Sequence, residues 1–471
     1  MLFDSVEYAV LLVAAFAGVW LLARFRLART LLLLSASYIF YGFWNWKYLG
    51  LIFLSSSHDY LVGRALGRVR APAGRKALLG ASVVVNLGIL CAFKYFDFFV
   101  DSAADLLAGL GFAVSRFHLG LVLPVGISFY TFQTLSYTID VFRGRLEPTR
   151  SYPGYLLFVS FFPQLVAGPI VRASHLLPQL DRGPVLTAER GSRALFLIGV
   201  GLAKKVVIAD FLGAHLADKV FSDPSMYSSV ECLAGVYAYA FQIYADFSAY
   251  SDIAIGSAAL LGFDIPLNFD APYRSASLRE FWRRWHISLS TWLRDYLYIP
   301  LGGSRHGRGR TAVSLLATML LGGLWHGAAL TFVFWGAIHG LALATTRLVP
   351  RPRFIDGVPP ALRRALGVLV TFHVVCAAWV FFRAPDFRVA GRIFESIAAL
   401  DLGVENLSWS VLAVLAVAFA THWIPAAWIE RARRGFHALP APLQAATLLA
   451  VILAVHRLAR VEVQPFIYFQ F

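Results

Sequence analysis

From Thr311 to Leu348 the chain carries almost no charge, over a stretch long enough to cross a lipid bilayer twice. One crossing takes about 20 apolar residues as a helix. Further apolar runs recur at Ala77 to Phe93, Leu366 to Phe382 and Leu407 to Trp428. In hydrocarbon every backbone N–H and C=O needs an internal partner, which leaves only helices and closed barrels. Barrel strands alternate apolar and polar residues over segments of about 10, and these runs do not alternate. The fold class is therefore an all-α polytopic membrane protein. Composition agrees: 58% of the 471 residues are hydrophobic and only 15% are charged. No linker, soluble domain or sequence repeat is visible, so residues 1–471 read as a single transmembrane domain.

The net charge of +15 does not point to nucleic acid in such a chain. Lys and Arg collect in cytoplasmic loops and set orientation. Arg24, Arg26 and Arg29 follow the first apolar run, Glu7 to Leu22, and place the N-terminus outside. That run has no basic residue before it, as a signal peptide would, and reads as an uncleaved span. The basic segments Arg64 to Lys76, Arg274 to Arg310 and Arg351 to Arg364 are expected in the cytoplasm, as is the polar segment Arg172 to Arg193. The segment with Asp97, Asp101 and Asp105 is expected outside. Cys91, Cys232 and Cys376 lie far apart without metal-ligand or disulfide spacing. No metal site is expected.

Leu31 to Trp44 and Leu49 to Val62 read as a hairpin of spans. Leu119 to Val141 contains Pro124 and Gly126; Leu156 to Val171 contains Pro163, Gly168 and Pro169. Broken helices at membrane depth occur where they line protein or a wet cavity, so both are candidate cavity walls or re-entrant loops, with kinked spans as the plainer reading. Val230 to Leu261 exceeds one upright span. LGGLWHGAA bends the Thr311 to Leu348 run into two. Stretches near Leu366 to Phe382, Leu407 to Trp428 and Leu443 to His456 complete about eleven transmembrane helices, with re-entrant and interfacial helices beside them.

Most of the legible chemistry lies between Glu280 and Gly303. At about 100° per residue, Trp282, Trp285, Leu289, Trp292, Leu293 and Tyr296 share one helical arc, and Arg283, Arg284, Arg294 and Asp295 fall outside it. This suits a helix lying in the membrane interface. His286 falls inside the apolar arc and needs a partner there. His326 lies deep in Thr311 to Leu348 among Gly322, Gly323 and Gly327. An ionisable group at that depth faces the bundle interior or a wet cavity. Both histidines also have a plain structural reading as satisfied buried side chains. Asp246 and Asp252 are intramembrane carboxylates for which structural pairing is the first reading, while Lys204 and Lys205 read as helix-end charges that snorkel. Nucleophile-elbow, phosphate-loop, zinc-protease and dinucleotide motifs are absent.

DFSAYSDIAIG, then PLNFDAPYRSASLREFWRRWHISLSTWLRDYLYIPLGG, then LWHGAALTFVFWGAIHG follow one another in an order and spacing that resemble the membrane-bound O-acyltransferase family. The likeness is to its bacterial alginate O-acetyltransferase branch, with GISFYTFQTLSYTIDVFRG, FFPQLVAGPIVR and the terminal PFIYFQF in support. The resemblance covers nearly the whole chain. It implies helices around a central funnel, His326 at the position of the family's catalytic histidine and His286 at its second. Ala249 departs from the glycine common there, which bears on helix packing.

The implied activity is transfer of an acyl group, acetyl in this branch, from a cytoplasmic thioester to a hydroxyl presented from outside. The donor is acetyl-coenzyme A or a carrier-linked acyl thioester, with no bound cofactor. Neutral His326 would serve as base. His286, Asn268 or backbone donors would steady the oxyanion. Arg283, Arg284 and Arg305 would hold donor phosphates, or simply anchor the loop inside. The implied partners are a periplasmic SGNH-hydrolase-like acetyltransferase, a polysaccharide acceptor and membrane lipid. The implied location is the bacterial inner membrane. Two alternatives stand beside this: a transporter that passes the acyl group to that periplasmic partner, and D-alanyl transfer as in the teichoic-acid branch.

Overall fold

The computed structural model describes the chain except residues 2, 167, 350–356 and 459–471. The start of the basic segment Arg351 to Arg364 and the terminal PFIYFQF lie outside the described residues. Every regular element among the described residues is helical. The chain packs as two compact units, Met1–Ala194 with Ala254–Pro266, and Leu195–Ile253 with the chain from Leu267 onward.

In the first unit, Val6–Leu21 takes the place of the expected first span, capped by the Ser5 hydroxyl on the Tyr8 N–H. Arg26–Asn45 and Leu49–Leu66 are separated by a 3-10 turn, Trp46–Tyr48. The expected break near Gly126 is real: an irregular stretch ends in a turn at this glycine (φ 77°), and Ile127–Phe142 starts after it. Phe161 likewise separates Tyr152–Ser160 from Phe162–Leu165. Ile127–Phe142 is buried almost throughout, so it can carry polar side chains on the inside. Thr134 donates to Asn86 Oδ1 (2.9 Å), Asn86 and Ser82 donate to Asp59 (2.6 and 2.7 Å), and Ser82 meets Thr138 (3.0 Å). Interhelical hydrogen bonds of this kind hold membrane helices together where lipid offers no competing hydrophobic force.

That polarity also bears on the span count. Three described helices are long and apolar enough to cross a membrane: Arg26–Leu66, Pro72–Gly109 and Pro360–Arg383. A fourth appears if Trp409–Thr421 and Ala426–Ala438 form one broken span. The expected eleven are not reached on that criterion. Helices that face protein need not be apolar, and broken ones are individually too short to qualify.

In the second unit, the start of Ser229–Leu260 matches the expected long helix; at about 1.5 Å per residue its 32 residues run to about 48 Å. It carries Asp246 and Asp252, and their partners correct one expectation. Lys204 and Lys205 do not snorkel. Lys205 is 1% exposed and lies 2.7 Å from Asp210 and 3.0 Å from Asp246, while Lys204 lies 2.7 Å from Asp252. A buried ammonium is tolerable only beside such counter-charges. The carboxylates are thus structurally paired. Near Ala249, a Cβ on Gly201 would stand 2.9 Å from the Ala249 carbonyl oxygen, so the extra methyl sits in a tight helix crossing.

LGGLWHGAA does bend the chain. Gly307–His326 and Leu330–Leu348 form a pair with Gly327 as the break. Their backbones nearly touch: a Cβ on Gly323 would stand 2.2 Å from the Phe332 oxygen, and one on Gly336 2.3 Å from the Met319 oxygen. Small residues permit such approach. The stretch expected as one helix near Leu407 to Trp428 is broken instead, with a bend of 96° between Trp409–Thr421 and Ala426–Ala438. Pro425 excludes the α conformation at Ile424 and has no N–H to continue the ladder.

Candidate functional site

The interfacial helix expected over Glu280 to Gly303 is not continuous. Leu278–Arg284 and Ile287–Leu293 are separate short helices, followed by a π-helical turn, Arg294–Tyr298. Ser277 caps the first through the Glu280 N–H. The break falls on Trp285 and His286, and His286 takes a left-handed conformation (φ 41°, ψ 57°) that a non-glycine residue adopts at a cost. Periodicity could not show it, because the residues on both sides still alternate at helical spacing. The arc nevertheless packs inward: Trp285, Leu289, Trp292, Leu293 and Tyr296 are all buried, and Arg283 and Arg294 are exposed.

Asn268 holds that break. Its carbonyl accepts the Ile287 N–H (2.9 Å), and its side-chain oxygen accepts the Ser288 N–H (3.2 Å) and hydroxyl (2.9 Å). The same oxygen lies 3.0 Å from His286 Nδ1. A backbone N–H can only donate, which fixes this Asn268 atom as the oxygen. His286 Nδ1 therefore carries the proton, and Nε2 presents the lone pair. The Asn268 amide nitrogen donates to Ser251 (3.3 Å). Both Asn268 and His286 are fully buried. Burial pushes the His286 imidazole down to about 3, which keeps it neutral. Neutral in this tautomer, His286 accepts through Nε2 and has no donor to offer an oxyanion. The bond from Asn268 to Ser251 uses one of its two amide hydrogens.

His326 ends Gly307–His326 and is 5% exposed. Its ring meets the edges or faces of Trp325 (4.9 Å between centroids), Trp335 (5.1 Å) and Phe382 (5.2 Å). Trp325 is also 6.3 Å from the His286 ring. Both histidine rings thus lie against one indole, although their positions in the chain gave no sign of it. Phe247 packs on the other side of His286 at 4.7 Å. Trp335 continues to His339 (4.9 Å) and stacks on Trp379 (5.8 Å). His339 is fully buried, and neither of its ring nitrogens has a hydrogen-bond partner among the described residues. Trp335 and His339 lie at i and i+4 on Leu330–Leu348, a spacing that could have flagged them together; Trp379 and Phe382, from Pro360–Arg383, carried no such signal.

The arginines separate into two kinds. Arg284 pairs with Asp270 (2.8 Å) and Glu280 (3.2 Å), and the Asp270 N–H donates to the Arg284 carbonyl (3.0 Å). Its charge is taken up in fixing the same loop as Asn268. Arg283 and Arg305 are exposed and form no ion pair among the described residues. Arg279, missed in the sequence, stands near Arg283 and Arg347: burial, then the charges of Arg347 and Arg283, lower its guanidinium below the ordinary value. Arg279, Arg283 and Arg347, in no ion pair among the described residues, form a group of cations electrostatically suited to phosphate. No cluster of His, Cys, Asp and Glu suited to a metal occurs among the described residues.

Residues 112–382 match the profile of the membrane-bound O-acyltransferase family. A probable alginate O-acetylase of Azotobacter vinelandii is 40% identical over 89% of this chain and 82% of its own length. One from Pseudomonas putida is 39% identical over the full length of both. A peptidoglycan O-acetyltransferase of Helicobacter pylori is 36% identical over 78% of this chain and 73% of its own length.

Proposed function

The chain belongs to the membrane-bound O-acyltransferase family, and on that premise we propose that it transfers acetyl from a cytoplasmic thioester to a hydroxyl on the external side, for O-acetylation of alginate or another cell-envelope polysaccharide. The enzyme is an O-acyltransferase of a membrane-bound family. Direction, donor and acceptor are the finer reading, as are a multi-pass inner-membrane topology of about eleven spans and an external N-terminus. The names of the relatives support a polysaccharide acceptor. The observation that carries the chemistry is the pair of buried histidines that both approach Trp325, one of them locked in a single tautomer by Asn268.

In the proposed mechanism, neutral His326 removes the proton of the acceptor hydroxyl as its oxygen attacks the thioester carbonyl. The tetrahedral oxyanion collapses, the C–S bond breaks, and the departing thiolate takes the proton back from the imidazolium. No net proton is consumed. A thioester is already electrophilic, so alignment of the two substrates and the proton transfer carry most of the work. His286, accepting through Nε2, orients the acceptor by taking a hydrogen bond from a neighbouring hydroxyl of the sugar, since the reacting hydroxyl spends its one hydrogen on His326. Oxyanion support falls to backbone N–H groups or the second Asn268 amide hydrogen, since neutral His286 has no donor to spare. Arg283 and Arg305, with Arg279 and Arg347, hold donor phosphates, while Arg284 keeps the loop in shape. A periplasmic SGNH-hydrolase-like acetyltransferase completes delivery to the polymer.

The test is transfer of labelled acetyl from acetyl-coenzyme A by reconstituted protein, with and without the periplasmic partner. His326→Ala should lose about 10²–10⁴-fold in rate while remaining folded and inserted. His286→Ala should be damaged less. Near-normal turnover by His326→Ala would overturn the mechanism. Acetyl appearing across the membrane with no acylated acceptor would favour a transporter. Mass spectrometry of envelope polysaccharides with and without the gene identifies the acceptor.

A further inference from the structure

A second polar site lies within the first unit, apart from every residue assigned above. The helix Ala173–Arg182 buries Ala173, Leu176, Leu177 and Leu180, and turns its other face to a pocket of about 400 Å³. His175, Gln179, Arg182, Gly183, Arg190 and Asp264 line it. The frame is fixed by hydrogen bonds rather than by loose surface chains. Gln179 clamps the Asp264 backbone at both ends, accepting its N–H (2.7 Å) and donating to its carbonyl (3.0 Å). His175 Nε2 donates to the same carbonyl (3.0 Å). The Val185 N–H donates to the Gly262 carbonyl (3.1 Å), and Gly183 turns the chain with φ 100°.

Two guanidinium groups stand in this frame. Arg190 donates through Nη1 to the Val185 carbonyl (2.8 Å), and its Nη2 lies 2.8 Å from Asp264. Its Nε is buried and has no hydrogen-bond partner among the described residues. Arg182 is exposed and in no ion pair among the described residues. Behind Gly183 sits Arg29, 3% exposed; its guanidinium donates to the carbonyls of Ala23 and Leu180 and is in no ion pair among the described residues. A Cβ on Gly183 would stand 3.3 Å from Arg29 Nη1. Arg26 is already paired with Asp181. The balance is positive: Arg182, Arg190 and Arg29 against Asp264.

We propose that this pocket binds a phosphate group, carried by a lipid headgroup or by a soluble phosphomonoester. Planar guanidinium groups match phosphate oxygens in pairs. The exposed Arg182 guanidinium supplies the donors, Arg190 and Arg29 add positive charge behind it, and the Asp264 carboxylate excludes an anion from the Arg190 Nη2 edge. A volume of about 400 Å³ leaves room for the group that carries the phosphate. The proposal does not depend on the acyl-transfer reading.

The full-length protein in phosphatidylcholine nanodiscs tests it. Thermal midpoints are compared with and without inorganic phosphate at matched ionic strength, and with and without phosphatidylglycerol in the bilayer. Ligands that bind only the folded state raise the midpoint. Arg182→Gln changes an exposed side chain and should fold normally; it should weaken the response to the effective probe by about tenfold, the value of one charge-assisted hydrogen bond. Arg182→Lys should restore part of it. A response to inorganic phosphate identifies a soluble source, and a response to phosphatidylglycerol alone identifies lipid; either, weakened in Arg182→Gln, supports the site. If neither probe shifts the wild-type protein, or if Arg182→Gln responds as wild type does, the proposal is overturned.

Discussion

Gly323→Ala separates helix approach from catalysis in one substitution. The new Cβ would lie 2.2 Å from the Phe332 oxygen, 3.1 Å from the Phe332 carbonyl carbon and 3.3 Å from Gly336 Cα. All three are backbone atoms of the neighbouring segment, so no side chain can rotate away. Real Cβ contacts do not fall below 3.0 Å, and relief requires the two segments to part by about 1 Å. Overpacking of this kind costs about 1–3 kcal/mol. The same shift moves His326, less than one turn away, against Trp335 on the facing helix. A displacement of about 1 Å can cost about 10²-fold in rate. Gly322→Ala is the control, because its Cβ meets only the Leu293 Cδ1 methyl at 3.3 Å, the far end of a flexible side chain. Both changes gain the same helix propensity, about 1 kcal/mol, so the comparison cancels it. Acetyl transfer in proteoliposomes and thermal unfolding in detergent are measured for both. The expected result is a lower midpoint and a kcat reduced about 10²-fold for Gly323→Ala, with Gly322→Ala near wild type. If the two variants behave alike, the close helix approach is not what positions His326.

Lys205→Met leaves Asp210 and Asp246 without the cation they share and should cost about 3–5 kcal/mol. Adding Asp246→Asn should recover part of that in thermal unfolding, and no recovery would refute the pairing argument. Arg283→Gln should raise the donor KM with little change in kcat, as loss of uniform binding does, whereas Arg284→Gln should lower thermal stability by breaking its pairs with Asp270 and Glu280; an unchanged KM in Arg283→Gln removes that residue from the donor site. Burial holds His286 at about 3, against 6.5 in the unfolded chain, so the unfolded state binds the extra proton first. The stability tied to neutral His286 is complete above pH 6.5 and is lost as pH falls toward 3, by about 1.4 kcal/mol per unit. From pH 7 to pH 5 the wild type should therefore lose more stability than His286→Gln, and an equal loss would contradict the burial.

How much was legible depended on the range of the interaction. The bend at LGGLWHGAA, the breaks near Gly126 and Phe161 and the inward arc of Trp285, Trp292 and Tyr296 are local consequences of Gly, Pro and apolar spacing. Such features need only neighbouring residues to be read. The interruption at His286 was invisible for the opposite reason: a left-handed residue is held there by Asn268, eighteen positions away. The pairing of Lys205 with Asp246 was hidden likewise. A lysine beside an apolar run snorkels unless a distant helix supplies a carboxylate, and only the packing says whether one does.

The sequence by itself determined that this chain is a helical membrane protein, and its ordered motifs pointed to one acyltransferase family, because hydrocarbon imposes internal backbone pairing on any long uncharged run. Tertiary structure decided what the polar residues do. It set His286 and His326 against the same Trp325 ring, left Arg283 available while engaging Arg284, and brought Arg182 and Arg190 to one pocket with Asp264. Each of those outcomes is fixed by which helix faces pack together, and the energy of a charge or an imidazole in a membrane protein depends on the partner it meets there.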